Sequence, residues 1–210
     1  DFERFLSVQQ ASDAIRGLIE RTPIAFALRR DVECELDRMG ATHYAVRSSG
    51  LLEDSSAGSY AGQFDTFLYV PRSDVFDRIK TCWASAYAAR NLTYKHSKGV
   101  KTTSPEVAVV IQAMVASEAA GVMFMANPAG SLDEIVIVSG YGLGEGVVSD
   151  QVETDTCIYD RIRRQWRCEV GDKRKSVRFD VTAGSGTALH DVADAKRHEP
   201  VLSGDQREAL

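Results

Sequence analysis

No two of the four cysteines, Cys34, Cys82, Cys157 and Cys168, form a C-x-x-C pair anywhere in the 210 residues. That scatter argues against a zinc site or a disulfide framework and predicts reduced thiols in a cytoplasmic protein. No apolar run approaches the roughly 18 to 20 residues of a membrane-spanning helix, and the first residues do not read as a signal peptide. Positive charge is also short: the net charge is -5, so broad attraction to nucleic acid or an anionic membrane is not expected. Any anion binding must then come from a local site. His43, His96, His190 and His198 show neither metal-ligand spacing nor a Ser or Cys partner pattern. Internal repeats are missing too. The chain starts at Asp1 without a Met and stops in the helix-like "GDQREAL", which leads us to expect a fragment.

What is present is ordinary globular composition, 44% hydrophobic and 26% charged, in a chain long enough to bury a core. Residues 8–20 and 24–39 read as amphipathic helices, the second started by Pro23 and ended by Gly40. "THYAVRS" reads as a short strand, followed by a Ser/Gly-rich loop and the strand-like "FDTFLYV". A single helix with a Ser73 N-cap is expected from there to Gly99, with Val75, Ile79, Cys82, Trp83, Ala86 and Tyr87 on its buried face. After the linker "KTTSP" the pattern turns to strands: "VAVVIQAMV" and "AGVMFMA" as a hairpin, then "DEIVIVSGYG" and further strands. Residues 182–200 read as an exposed loop. The expected fold is α+β, N-terminal helices followed by mixed, mainly antiparallel sheets. Two parts are expected: 1–104 with a phosphate loop, and 105–210, rich in strands.

Three motifs carry possible chemistry. Arg47-Ser48-Ser49 ends an apolar strand and opens a loop running to Gly62-Gln63 that is almost bare of bulky side chains. Such a loop lets backbone N–H groups approach a phosphate, and an Arg beside it can grip two phosphate oxygens. A plain surface loop with an Arg in an ion pair fits the composition equally well. Arg47's place at a strand end favours the binding role, because binding groups often sit at the ends of a rigid scaffold. The second motif, "SGYGLGEGVVSDQV", has Gly140, Gly142, Gly144 and Gly146 at alternate positions. It is not G-x-G-x-x-G, since Glu145 stands where a Gly is needed, and no G-x-x-x-x-G-K-[ST] occurs in the chain. It either lines a nucleotide site or forms a tight turn packed on a neighbour. The third motif is "VVIQAMVASEAAGVMFMANP", mostly core, in which the polar Gln112 either satisfies neighbouring backbone or faces a ligand.

Three ordered segments, "VRSSGLLEDSSAGSYAGQFDTFLYV", "VIQAMVASEAAGVMFMANP" and "IVIVSGYGLGEGVVSDQVETDTCIYD", resemble the N-terminal ATP-binding domain of phosphoenolpyruvate synthase. Pyruvate phosphate dikinase and rifampicin phosphotransferase belong to the same group. The resemblance covers about the whole chain and implies an ATP-grasp-type fold using ATP and Mg²⁺. It further implies that Arg47 contacts the ATP phosphates and is the catalytic residue of this stretch, while Gly62 and Thr66 line the phosphate path. Gln112 and the Met114-Val115 backbone would form the hinge beside adenine, and Glu145 would be a site-lining or structural acid. "VETD" departs from the family's usual V-N-P-D.

In that family, ATP phosphorylates a histidine on a separate swivelling domain, for transfer to pyruvate or another acceptor. The implied partners are therefore ATP, the swivelling phosphohistidine domain and an acceptor-binding domain, with no nucleic acid and no membrane. The family's Gly-Gly-Lys segment would precede residue 1, and its D-x-E-W and Q-x-R segment, with the metal ligands, would follow residue 210. Phosphoryl transfer rests on positioning and charge neutralisation, so this stretch alone is expected to be inactive. The rival expectation is a non-catalytic nucleotide-binding or regulatory module derived from the same domain.

Overall fold

The structure, a computed structural model, describes residues 2–50, 65–97 and 107–210. It divides into two compact units: residues 1–114 with 184–186, and residues 115–183 with 187–210. Both are α+β, and the sheets are antiparallel, as the sequence predicts.

The first unit is built on a three-stranded sheet in the order β2-β1-β3, comprising β2 (Thr66–Pro71), β1 (His43–Gly50) and β3 (Val107–Ala113). Strand alternation sends Tyr44 and Val46 of β1 to one face, where both are fully buried. Onto that face packs α3 (Val75–Ser85), whose Val75, Ile79 and Cys82 recur at spacings of four and three and close the core. Burial pushes the Cys82 thiol up to about 12, with the Asp65 charge adding to the shift. Leu36 of α2 (Phe26–Met39) joins this core, and its carbonyl accepts a hydrogen bond from the Tyr44 hydroxyl at 3.2 Å. Gly40 ends α2 in the left-handed conformation, φ 61°, and its N–H bonds back to the Leu36 carbonyl. The long α1 (Phe2–Arg21) is tied down by the buried Ser12, whose hydroxyl donates to the Tyr87 carbonyl at 2.7 Å.

Three details of this unit differ from expectation. The helix expected to run to Gly99 breaks into α3 and α4 (Ala89–Ser97), because Ser85 and Asn91 side chains bond the Cys82 and Ser85 carbonyls in the intervening turn. Ser73 does not cap it: a 3₁₀ turn, Arg72–Asp74, precedes α3, and the Ser73 hydroxyl donates to the Asp74 carboxylate. Nor does β3 form a hairpin with the strand that follows it. The alternating β3 pairs along its whole length with β1, while the next strand enters the other sheet.

The second unit contains a four-stranded sheet in the order β4-β5-β6-β7, comprising β4 (Ala119–Phe124), β5 (Glu134–Tyr141), β6 (Asp155–Asp160) and β7 (Gln165–Glu169). A short helix, α5 (Gly144–Val148), follows β5. The separate hairpin of β8 (Lys175–Phe179) and β9 (Thr187–Asp191), with α6 (Asp194–Arg197), occupies much of the stretch expected as a loop. The last helix, α7 (Gly204–Glu208), starts in a capping box between Ser203 and Gln206.

The expectation of four reduced thiols is also corrected. Cys157 and Cys168 are direct cross-strand partners in β6 and β7 and form a disulfide, leaving Cys34 and Cys82 free. Their separation in sequence hides a register that only the hairpin creates.

Candidate functional site

The strand alternation that buries Tyr44 and Val46 turns Arg47 to the opposite face of the first sheet. In register, Arg47 lies opposite Thr66 on β2 and Val110 on β3, and Gln112 lies opposite Ala45. Arg47, Thr66 and Gln112 therefore share one sheet face, with Gln112 the diagonal neighbour of Arg47. Diagonal partners stand about 7 to 8 Å apart, within reach of one ligand. All three side chains are exposed.

Each of these positions has a local cause. Gln112 interrupts an apolar strand because every second residue of β3 faces outward, as Ala108 and Val110 do. Ser48, next to Arg47, points the other way, and its hydroxyl donates to the Asp65 carbonyl at 2.8 Å, holding the start of β2 against β1. Among the described residues the Arg47 guanidinium forms no hydrogen bond and no ion pair, whereas Arg29, Arg30, Arg38 and Arg72 all have carboxylate partners. Gly62 and the rest of the Ser/Gly loop lie outside the described residues. Met114 extends the β1–β3 ladder by one bond, its N–H donating to the His43 carbonyl at 3.0 Å. The next residue, Val115, is 68% exposed and falls in the second unit.

In the second unit the alternating glycines are largely explained by packing. Gly142 has φ +86°, and a Cβ there would run into the Val177 carbonyl of β8. At Gly146 a Cβ would crowd the Val177 side chain at 2.8 Å. The turn between these glycines is held from two sides. Ser117 donates to the Gly142 carbonyl and Gly142 N–H donates to the Glu118 carbonyl, while Leu143 N–H donates to the Val177 carbonyl at 2.9 Å. Glu145, in the first turn of α5, accepts a hydrogen bond on Oε2 from the Thr187 hydroxyl of β9 at 2.9 Å.

The buried ion pair of this unit is not legible in the sequence. Lys173 and Asp155 are 0% and 2% exposed, and Lys173 Nζ donates to Asp155 Oδ1 at 2.5 Å and to the Gly171 carbonyl at 3.0 Å. Asp155 also accepts from the N–H groups of Gly171 and Val201. Tyr141 borders the pair, and burial, with Glu199 and Asp155 nearby, raises its pKa. "GDKRK" reads only as a polar turn, so nothing in the sequence signals that one of its lysines is buried.

Compared with known proteins, residues 1–210 match the pyruvate phosphate dikinase AMP/ATP-binding domain. The chain belongs to that family. It is 37% identical over 171 residues to a probable phosphoenolpyruvate synthase from Archaeoglobus fulgidus, covering 80% of this chain and 22% of that relative. To the prodigiosin synthesizing transferase PigC of Serratia marcescens it is 38% identical over 200 residues, 94% of this chain and 22% of the relative. To a rifampicin phosphotransferase of a Streptomyces species it is 32% identical over 203 residues, 95% and 23% respectively. The domain thus spans between a fifth and a quarter of the length of these relatives. Membership bears out the resemblance carried by the three ordered motifs.

Proposed function

We propose that this domain is the ATP-binding part of a phosphotransferase resembling phosphoenolpyruvate synthase. One observation carries the reading beyond family membership: an exposed arginine inside β1, which runs on to Gly50 instead of ending at Arg47 as expected, has no partner among the described residues and shares its face with Thr66 and Gln112. A planar guanidinium in that setting can take two phosphate oxygens in parallel hydrogen bonds. Arg47 grips the phosphates, and Gly62 and Thr66 line their path. Gln112 with the Met114-Val115 backbone forms the adenine hinge, and Glu145 lines the site as an acid. The division near residue 104 into a phosphate-loop part and a hinge part belongs to the same proposal, as does an ATP-grasp type of nucleotide enclosure.

Magnesium bound with the nucleotide would neutralise phosphate charge. Among the described residues no three His, Cys, Asp or Glu are grouped to hold a metal ion. The phosphoryl group passes to a histidine on a swivelling domain elsewhere in the protein, and from there to pyruvate or another acceptor. The domain alone, without that machinery, is inactive. A cytoplasmic location, where ATP is available, belongs to the same proposal. Among the described residues no helix is long and apolar enough to cross a membrane.

The test is calorimetric titration of Mg-ATP into the full-length protein, with ATP consumption followed in parallel. Binding with turnover is expected. Binding without turnover would point to a regulatory module, and no binding would overturn the reading.

A further inference from the structure

We propose that Thr187 is a positioning residue for the nucleotide site, its hydroxyl holding the Glu145 carboxylate in one orientation. The inference rests on the reading of Glu145 as a site-lining acid. A glutamate side chain loses rotamer freedom when fixed, so an acid that must meet a ligand in one geometry gains from being held in place before the ligand arrives.

The surroundings of Glu145 supply that immobilisation in two steps. The backbone of its turn is pinned first. Leu143 N–H bonds the Val177 carbonyl of β8, Ser117 and Glu118 bond Gly142, and Gly142 and Gly146 leave no room between the turn and Val177. Only the side chain is then free to move, and Thr187 Oγ1 donates to its Oε2 at 2.9 Å. Oε1 makes no bond among the described residues, so one oxygen is anchored and the other is available.

Thr187 is suited to the task. It is the first residue of β9, paired with Phe179 of β8, directly after a turn in which Asp180 accepts the N–H groups of Thr182 and Ala183. Its β-branched side chain has restricted χ1 freedom, and a threonine on a paired strand presents its hydroxyl in few directions. The same hairpin thus sets both the backbone of the glycine turn, through Val177, and the carboxylate, through Thr187.

The experiment uses the full-length protein with Glu145→Ala, Thr187→Val, Thr187→Ser and the Glu145→Ala/Thr187→Val double variant. Mg-ATP affinity is measured by calorimetry and folding by thermal unfolding. Loss of one hydrogen bond to a charged group predicts that Thr187→Val weakens ATP binding by roughly tenfold. Thr187→Ser should restore most of the affinity, and Thr187→Val should add nothing to Glu145→Ala. If the valine variant does not fold, Thr187→Ala serves in both the single and double comparison. If Glu145→Ala binds ATP as the parent does, the assignment of Glu145 falls and this proposal with it. If Glu145→Ala weakens binding but Thr187→Val does not, or if the two losses add in full, the positioning role alone is overturned.

Discussion

Two cations, Arg47 in the first unit and Lys173 in the second, show how differently one chain uses positive charge. Lys173 is fully buried, and its ammonium is spent on Asp155 and the Gly171 carbonyl. Arg47 stands exposed on a sheet face and meets no carboxylate among the described residues. A buried charge without a partner costs several kcal/mol, so Lys173 can persist only in a satisfied network and does its work by holding segments together. An exposed guanidinium costs little to leave open, so Arg47 can be kept for a ligand. Burial beside a paired carboxylate therefore marks a structural charge, and exposure on a rigid strand marks a candidate binding charge.

The contrast breaks most sharply at Lys173. Replacing it by Met strands the Asp155 carboxylate and should cost about 3 to 5 kcal/mol, read as a large drop in the urea-unfolding midpoint. A change near zero would mean the pair is not buried in solution. Next in size is the glycine turn. Gly142→Ala meets both a positive φ and the Val177 carbonyl, and should destabilise by about 2 kcal/mol or more. At Gly144, by contrast, a new Cβ meets only the Ala120 Cβ at 3.7 Å, so Gly144→Ala should stay within about 0.5 kcal/mol.

The thiols give a smaller effect. Cys34 is exposed and should label in the native state, whereas Cys82 should label only on unfolding and Cys157 and Cys168 only after reduction. The folded Cys82 thiol ionises near 12 rather than 9.0, so its contribution to stability is intact below pH 9 and is lost as the pH rises towards 12. Cys82→Ala should flatten the alkaline fall in stability. Smallest of all is Arg47→Met, which should shift stability by no more than about 0.5 kcal/mol, because nothing described leans on its charge.

The periodic parts of the fold are legible in the sequence. Val75, Ile79 and Cys82 follow the helix period expected of them and lie in the core that forms, with Trp83 packed against its edge. Gly40 ends α2 for the reason its side chain, or lack of one, suggests. What is not legible depends on register and long-range pairing. The Cys157–Cys168 bond, the Lys173–Asp155 pair and the Thr187–Glu145 bond join residues that only the β6–β7 and β8–β9 hairpins and the turn after β5 bring together. The end of a helix at Ser85 turns on two side chains competing for backbone carbonyls, which helical periodicity does not register. Of the candidate site, the strand that carries Arg47 is legible but its end is not, since β1 continues past Arg47 to Gly50 in register with β3, and the partner of Glu145 lies 42 residues away.

The most direct test compares ATP with adenosine in the full-length protein and its Arg47→Ala variant, by calorimetry. If Arg47 is held open for phosphate, the variant should lose ATP affinity by roughly tenfold or more, as expected for a charge-assisted bidentate contact, while adenosine binds as before. Equal ATP affinity in the two proteins, or an equal loss for adenosine, would contradict the account.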